Sequence, residues 1–102
     1  MALNINKVDS ADALVIYLEG RLDTNTSPAL EEELKTAITG AVKKLIFDME
    51  KLDYVSSAGL RVLLKAQKIM NKQGSMIIRK AKAEILEIFE VTGFDEILNI
   101  QK

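Results

Sequence analysis

The chain has 102 residues and a net charge of −1, from 14 Lys and Arg against 15 Asp and Glu, and it contains no Cys, His or Trp. This length predicts a single domain over residues 1–102, whose core forms without disulfides or metal ions. Without His and Cys, the chain cannot contain a Ser-His-Asp triad, a thiolate nucleophile or a zinc site of imidazole and thiolate ligands.

The first residues predict a β-hairpin. Residues 3–8 alternate apolar and polar side chains, which is typical of a half-buried edge strand. Residues 13–19 are richer in β-branched and aromatic side chains, so a second and more central strand is predicted there. Residues 9–12 have the composition of a turn, and the shortness of this link favours a hairpin.

A polar loop over residues 20–26 is predicted to lead into the first helix. Ser27 is the expected N-cap, and Pro28 is the expected first helical residue. Gly40 is expected to end this helix. The buried stripe of the helix follows helical spacing and consists of Leu30, Leu34, Ala37 and Ile38.

The middle of the chain predicts a buried strand followed by a long helix. Residues 44–49 form the third strand, and their apolar centre predicts burial on both faces. Residues 50–55 are predicted to be a loop. The second helix is expected to begin near Ser56 and Ser57 and to stop at Gly74.

The last part of the chain predicts one more strand and two helical segments. Residues 75–79 form the short fourth strand, and residues 81–91 form a third helix that Gly93 ends. Asp95 is expected to cap a last helical turn. The apolar residues of that turn are Ile97, Leu98 and Ile100.

The predicted order of elements is β-β-α-β-α-β-α-α. A helix between two strands favours parallel neighbours, and right-handed crossovers place such helices on the same face of a sheet. The order therefore predicts a small α/β domain with a mixed sheet of four to five strands and helices mainly on one face.

Charge and hydropathy indicate neither a nucleic acid nor a membrane partner. A net charge of −1 gives no general attraction to polyanions or anionic lipid. No apolar run approaches the roughly 20 residues that span a bilayer, and the first residues lack the basic and apolar parts of a signal peptide. A cytoplasmic location is expected, and no cofactor is predicted.

One segment, residues 53–61, is hard to explain by packing alone. It places the hydroxyls of Ser56 and Ser57 at the junction between a strand and a helix. Gly59 falls in the first turn of that helix, where glycine costs up to about 1 kcal/mol but lets another group approach the backbone closely. One serine can cap the helix while the other receives a phosphate. Without His, neither serine is expected to be a catalytic nucleophile, but either can be the substrate of another enzyme.

A second polar segment, residues 20–26, precedes the first helix. Thr24 and Thr26 are interpreted as turn and cap residues. Asp23 follows the second strand, and Asp48 lies near the end of the third strand. The ends of parallel strands meet at one edge of a sheet, where functional groups gather in α/β proteins. Asp23 and Asp48 are therefore expected beside the serine segment.

Together these motifs resemble the STAS domain, and most closely the stand-alone bacterial anti-sigma factor antagonists. The resemblance covers about residues 3–100 in element order and length. Its motifs are Gly20-Arg21-Leu22-Asp23 with Thr26, a strand that ends in Asp48, and Val55-Ser56-Ser57-Ala58-Gly59-Leu60 before a helix.

The resemblance implies a regulator and not an enzyme. Members of this family bind an anti-sigma factor that is also a serine kinase, and this binding releases a sigma factor. The kinase phosphorylates one serine of the antagonist, which ends the binding, and a serine phosphatase restores it.

Alignment on Gly59 and Leu60 places the phosphoacceptor at Ser57, with Ser56 as the second choice. Ser56 stands where the family commonly has aspartate, and Asp23 matches a loop aspartate that lies near the acceptor in the family. The implied partner-binding surface contains Asp23, Thr24, Ser56, Gly59, Leu60, Arg61 and Lys65.

Two other interpretations remain open for the sequence. The first is a STAS subunit of a lipid or anion transport system, or a stressosome-type scaffold, in either case without a phospho-switch. The second is an enzyme that holds Mg²⁺ on Asp23, Asp48 and Asp53, although the glycine motifs of phosphate-binding loops are absent. The balanced charge and the lack of a surplus apolar face predict a monomer when the protein is free.

Overall fold

The computed structural model describes residues 3–11 and 13–101, so Asp12 of the predicted turn lies outside the described residues. The strands are β1 (Leu3–Ser10), β2 (Ala13–Leu22), β3 (Lys44–Val55), β4 (Ser75–Arg79) and β5 (Ile100–Gln101). The helices are α1 (Ser27–Ala37), α2 (Ser57–Asn71) and α3 (Ala83–Thr92), and a 3-10 turn covers Phe94–Glu96.

The five strands form one mixed sheet in the order β1-β2-β3-β4-β5. β1 and β2 are antiparallel and form the predicted hairpin, with Ser10 opposite Ala13. The remaining neighbours are parallel. The connection between β2 and β3 is α1, that between β3 and β4 is α2, and that between β4 and β5 is α3 with the 3-10 turn. The predicted α/β class and mixed sheet are confirmed.

The core lies between one face of the sheet and the helices. In β2, Leu14, Ile16 and Leu18 are buried, whereas Tyr17 and Glu19 on the other face are exposed. This alternation is the pattern of a strand with a single covered face. The core cluster also contains the inner residues of the helices, which are Leu30 and Leu34 of α1, Leu60, Val62, Leu63, Ala66 and Met70 of α2, and Ile85 and Phe89 of α3.

Both central strands are longer than predicted. Residues 20–22 continue β2, with Leu22 fully buried, and the predicted loop 50–55 continues β3. The pairing of β2 with β3 shifts between Tyr17 and Glu19 and again between Gly20 and Arg21, and each shift places one extra residue in β3. These irregularities are β-bulges, which bend a strand and break its period of two.

The bulges explain why the end of β3 was predicted as a loop. The buried residues of this strand change spacing along the chain, from two residues to three, because each bulge moves the inward face by one residue. The sequence therefore loses the alternation that marks a strand. These inward residues are Leu45, Phe47, Met49, Leu52 and Val55.

Both predicted ends of α1 are wrong. Its N-cap is Thr26, and Ser27 is the first helical residue, with its buried hydroxyl donating to the carbonyl of Asp23 at 2.5 Å. The helix ends at Ala37, before Gly40, because Ile38 takes an extended conformation and packs against the core.

The other helix ends agree better with the sequence. α2 begins at Ser57 as predicted and ends at Asn71, three residues before Gly74. Gly93 ends α3 in the left-handed conformation, with φ of +79°, which confirms its predicted role. The last segment differs, because Asp95 lies inside a 3-10 turn and Ile100 forms β5 instead of a helix. Ile100 pairs there with Ile78 of β4.

A candidate site at the start of α2

Two loops that the sequence singles out begin side by side. β2 and β3 are parallel, and their last paired residues are Leu22 and Val55. The backbone N–H of Ser56 then donates to the carbonyl of Leu22 at 2.8 Å. Asp23 follows Leu22 directly, so the Asp23 loop and the serine segment leave the same edge of the sheet together.

The two serines have different surroundings. Ser56 is the N-cap of α2, in an extended conformation, and its Oγ accepts a hydrogen bond from the N–H of Gly59 at 3.2 Å. Ser57 is the first helical residue and is exposed. Among the side-chain contacts of the described residues, the hydroxyl of Ser57 forms no hydrogen bond. Ser56 is therefore committed to the helix, whereas Ser57 offers an accessible hydroxyl.

Gly59 and Leu60 lie below this surface. A Cβ atom at Gly59 would lie 2.7 Å from Cγ of Leu22 and 3.0 Å from the carbonyl oxygen of Leu22. The group that approaches this glycine closely is thus the end of β2. Leu60 is 4% exposed and belongs to the core. Both residues hold α2 against the sheet, so they position the site from beneath.

The carboxylate of Asp23 organises the loop before α1. Its Oδ1 accepts from the backbone N–H groups of Asn25 and Thr26, both at 3.0 Å. The bond from the N–H of Thr26 is the main reason why the pKa of Asp23 lies below its ordinary value of 3.8. Arg21 adds a weaker attraction, with Nε 3.8 Å from Oδ2. Asp23 therefore has a structural role in addition to its position near the serine segment.

Thr26 closes the same loop through its hydroxyl. Its Oγ1 accepts from the N–H of Asp23 at 2.9 Å and donates to the carbonyl of Arg21 at 2.8 Å. This agrees with the interpretation of Thr26 as a turn and cap residue. Thr24 is exposed and contributes no hydrogen bond from its side chain among the described contacts.

A shallow cleft between α1 and α2 extends from this site. Across it, Nζ of Lys65 binds Oε2 of Glu31 at 2.8 Å, and this contact lowers the pKa of Glu31. Arg61 is exposed, and within the described part of the chain it forms no salt bridge. The residues that line the cleft are Thr24, Ser27, Pro28, Glu31, Ala58, Arg61, Val62 and Lys65.

Tyr54 lies beside Arg21 where β2 and β3 approach the two loops, and no sequence pattern predicts this contact. The guanidinium of Arg21 lies 4.3 Å from the centre of the Tyr54 ring, an attractive cation–π geometry. Arg21 and Tyr54 are register partners in β2 and β3 only because of the second bulge in β3. No local pattern reveals this bulge, so the sequence alone gave no signal for the pair.

Asp48 does not lie beside the serine segment, contrary to the prediction. β3 runs on to Val55, so Asp48 is in the middle of the strand, where it is buried and binds Nε of Arg79 through Oδ2 at 3.0 Å. Asp53 binds Nζ of Lys82 at 2.5 Å, and this bond raises the pKa of Lys82.

The three aspartates of the magnesium alternative therefore have separate partners. Asp23 binds backbone amides before α1, Asp48 binds Arg79, and Asp53 binds Lys82. The part of the chain that the structure describes contains no group of three acidic or metal-ligating side chains that could hold an ion. Within the same residues, no helix has the length and apolar character needed to cross a membrane.

Known proteins share this fold and sequence pattern. A family model of the STAS domain matches residues 3–102. BtrV of Bordetella bronchiseptica, a candidate anti-sigma factor antagonist, is 34% identical over 101 residues, which cover 98% of this chain and 85% of BtrV.

Two solved structures show the same fold at lower sequence identity. An anti-sigma factor antagonist from Mycobacterium paratuberculosis has a TM-score of 0.87 at 19% identity, covering 96% of this chain and 84% of that one. The Bacillus cell fate determinant SpoIIAA in its phosphorylated form has a TM-score of 0.73 at 22% identity, covering 98% of this chain and 91% of that one.

The match to the family model spans nearly the whole chain, and the identity to BtrV extends over the same length. The two solved structures add agreement in fold alone. The chain therefore belongs to the STAS domain family, among relatives named as anti-sigma factor antagonists.

Proposed function

We propose that the protein is an anti-sigma factor antagonist whose binding to an anti-sigma factor kinase is switched off by phosphorylation of Ser57. The observation that carries the proposal is the difference between the two serines. Ser56 uses its hydroxyl to cap α2, whereas the hydroxyl of Ser57 is exposed on the first turn. A kinase can reach Ser57 without breaking the cap.

Electrostatics gives the switch a physical basis. A phosphoserine carries about −1.5 to −2 charges at neutral pH. The loop of Asp23 starts beside the serine segment, and Asp23 is held in its charged form by the backbone of that loop. A dianion added to a bound interface next to a carboxylate costs desolvation and repulsion. A change of a few kcal/mol weakens binding by about two orders of magnitude or more.

The partner-binding surface proposed here consists of the exposed residues around Ser57. Thr24 and Arg61 line the cleft between α1 and α2, and Lys65 crosses it to Glu31. Asp23 and Ser56 border this surface. Gly59 and Leu60 support it from below.

The experiment is partner capture followed by phosphorylation. The unmodified chain is immobilised, partners are captured from an extract of its own cells, and the eluate is incubated with ATP and fresh protein. Phosphopeptide mass spectrometry should then find the phosphate on Ser57. The variant Ser57→Ala should bind the partner but resist release by ATP, whereas Ser57→Asp should bind it at least tenfold more weakly.

Ser56→Ala is the matched control, because it removes the neighbouring hydroxyl and leaves the acceptor in place. It should still be phosphorylated at Ser57 and released by ATP. Phosphate on neither serine would contradict the switch. Capture of a permease and an ATPase without a serine kinase would favour a transport subunit instead.

A further inference from the structure

The outer edge of β1 is long and open. β1 contains eight residues, six of them exposed, and pairs with β2 over its whole length. Among the described strands, none pairs with its other edge. In an antiparallel pair, every second residue directs both its N–H and its C=O toward the partner strand. The residues between them in β1 therefore direct these groups outward. These groups can bind the backbone of another extended strand.

This edge has few of the features that prevent strand pairing. β1 contains no proline, and its register with β2 has no bulge from Leu3 to Ser10. The opposite edge of the sheet, β5, has only two residues. Lys7 is the one lysine in β1, and its side chain turns to the covered face, where Nζ binds Glu33 at 2.5 Å.

An apolar row on the uncovered face of the sheet ends at the same edge. The row crosses four neighbouring strands in register and consists of Val8, Val15, Ile46 and Ile77. Val15, Ile46 and Ile77 are partly buried by their neighbours. Val8 is 49% exposed, because no strand lies beyond it among the described residues. The row is incomplete where the sheet ends.

We propose that a second copy of this chain docks on the edge, with the two β1 strands antiparallel and Val8 opposite Val8 of the second copy. This register continues the apolar row from one sheet into the other. It also places Lys7 of each chain opposite Asp9 of the other, and opposite charges stabilise a cross-strand pair. Two five-stranded sheets then form one continuous sheet.

Other two-fold registers are less favourable. A pair centred on residue 7 or residue 9 places two lysines or two aspartates directly opposite each other, which is destabilising. A pair centred on Asn6 sets Lys7 against the apolar Ile5, and a pair centred on Ile5 sets Lys7 against Leu3. Among these registers, only the one centred on Val8 places unlike charges opposite each other and an apolar residue opposite an apolar residue.

The proposed dimer leaves the candidate site free. The overlap covers residues 6–10 of β1, whereas the Asp23 loop follows Leu22, near the other end of β1 where Leu3 pairs with Gly20. The proposal is thus independent of the phospho-switch. It differs from the monomer that the balanced charge predicts, because the edge and the apolar row arise only in the folded sheet.

The first experiment is sedimentation equilibrium of the full chain over a range of concentrations. We expect the mass to rise from that of one chain to that of two. Val8→Lys should shift the midpoint to at least tenfold higher concentration, since it places two lysines opposite each other and interrupts the row. Val91→Lys, on the 79% exposed Val91 of α3, should leave the midpoint unchanged. Thermal unfolding verifies that both variants are folded.

The second experiment tests the register by cross-linking. The natural chain has no cysteine, so Val8→Cys introduces a single thiol. Opposite residues of antiparallel strands have Cα atoms about 4.5–5.5 Å apart, within disulfide range. We expect Val8→Cys to form a covalent dimer under mild oxidation. Asn6→Cys should not, because its two copies would be four residues apart, about 13 Å.

Two results would overturn the proposal. One is a single-chain mass at every concentration. The other is cross-linking of Asn6→Cys as fast as that of Val8→Cys, which would show either random collision or a different register.

Discussion

Ser56 and Ser57 carry the same hydroxyl group, and the start of α2 gives each hydroxyl a different environment. The extended conformation of Ser56 directs its Oγ toward the free N–H groups of the first turn, and Gly59 donates to it. Ser57 is the first residue of the helix, and its side chain is exposed at the surface. At this scale, a single residue step along the chain separates a structural hydroxyl from an accessible one.

The stability of the two alanine variants should differ. Ser56→Ala removes the cap, and we expect it to lower the free energy of unfolding by about 1 kcal/mol. Ser57→Ala removes an exposed hydroxyl, so its effect should stay within about 0.5 kcal/mol. Urea unfolding at neutral pH measures both values. Equal losses, or a larger loss at Ser57, would show that the cap is assigned to the wrong residue.

Asp23 should make the stability of the protein depend on pH. Its pKa is lower when the protein is folded, chiefly because the N–H of Thr26 donates to the carboxylate. The stabilisation is therefore present above the ordinary value of 3.8 and is lost as the pH falls through the lowered value. Asp23→Asn should be less stable than the natural protein at pH 7, and the difference should shrink below about pH 4.

Thermal unfolding of both proteins from neutral to acidic pH measures this difference. Asp95→Asn is the control, because Asp95 is exposed and accepts no hydrogen bond from the described residues. A constant difference between Asp23→Asn and the natural protein across the whole pH range would contradict the role of the charge.

At the scale of elements, glycine at residue 59 lets the start of α2 pack closely against the end of β2 without a steric clash. The backbone N–H of Ser56 binds the carbonyl of Leu22, and this contact brings the first turn of α2 onto the strand. Leu22 is fully buried there and fills the space where a Cβ of residue 59 would lie. The close approach fixes where the serine segment stands relative to the Asp23 loop.

Gly59→Ala should therefore destabilise the protein in spite of the better helix propensity of alanine. Alanine gains about 1 kcal/mol in a helix, but the contact of 2.7 Å with Leu22 forces a backbone or side-chain shift. We expect a net loss of about 1–3 kcal/mol in the free energy of unfolding. Gly40→Ala is the matched control, since nothing lies within 4 Å of its added Cβ, and its change should stay within about 1 kcal/mol.

In the whole molecule, the uncovered face of the sheet contains a buried carboxylate whose contacts link three strands. Asp48 of β3 binds Arg79 of β4, and a guanidinium nitrogen of Arg79 lies 3.4 Å from the hydroxyl of Tyr17 in β2. These residues are neighbours in register across the sheet. The Asp48 side chain is only 5% exposed, so the ion pair with Arg79 compensates a carboxylate that has little contact with water.

Arg79→Met should leave the Asp48 carboxylate without its cation while keeping most of the apolar stem. We expect a loss of about 1–3 kcal/mol in the free energy of unfolding, because a buried group loses a charged hydrogen bond. Lys35→Met removes a pair of similar type on the surface, with both side chains more than 60% exposed, and should cost less than about 1 kcal/mol. Equal losses in the two variants would show that the burial of Asp48 is unimportant.

Much of the fold and part of the site could be predicted from the sequence. The hairpin, the class of the domain and the start of α2 depend on patterns within a few residues, such as alternation, Ser followed by a helical stripe, and turn composition. The same local signal identified Ser56, Ser57 and Gly59 as unusual. It could not assign the cap to Ser56, because that requires the dihedral angles at the end of β3.

The sequence by itself thus determined the order of elements from β1 to α3 and the position of the serine segment, because both follow from short-range periodicity. Only the tertiary structure decided the length of β3, the pairing of Arg21 with Tyr54, and the placement of Asp48 in mid-strand beside Arg79. These features depend on cross-strand register, which hydrogen bonds between distant parts of the chain set and two bulges shift. The alternation of residues 3–8 predicted an edge strand, but the apolar row that ends at Val8 exists only once four strands lie in register in the folded sheet.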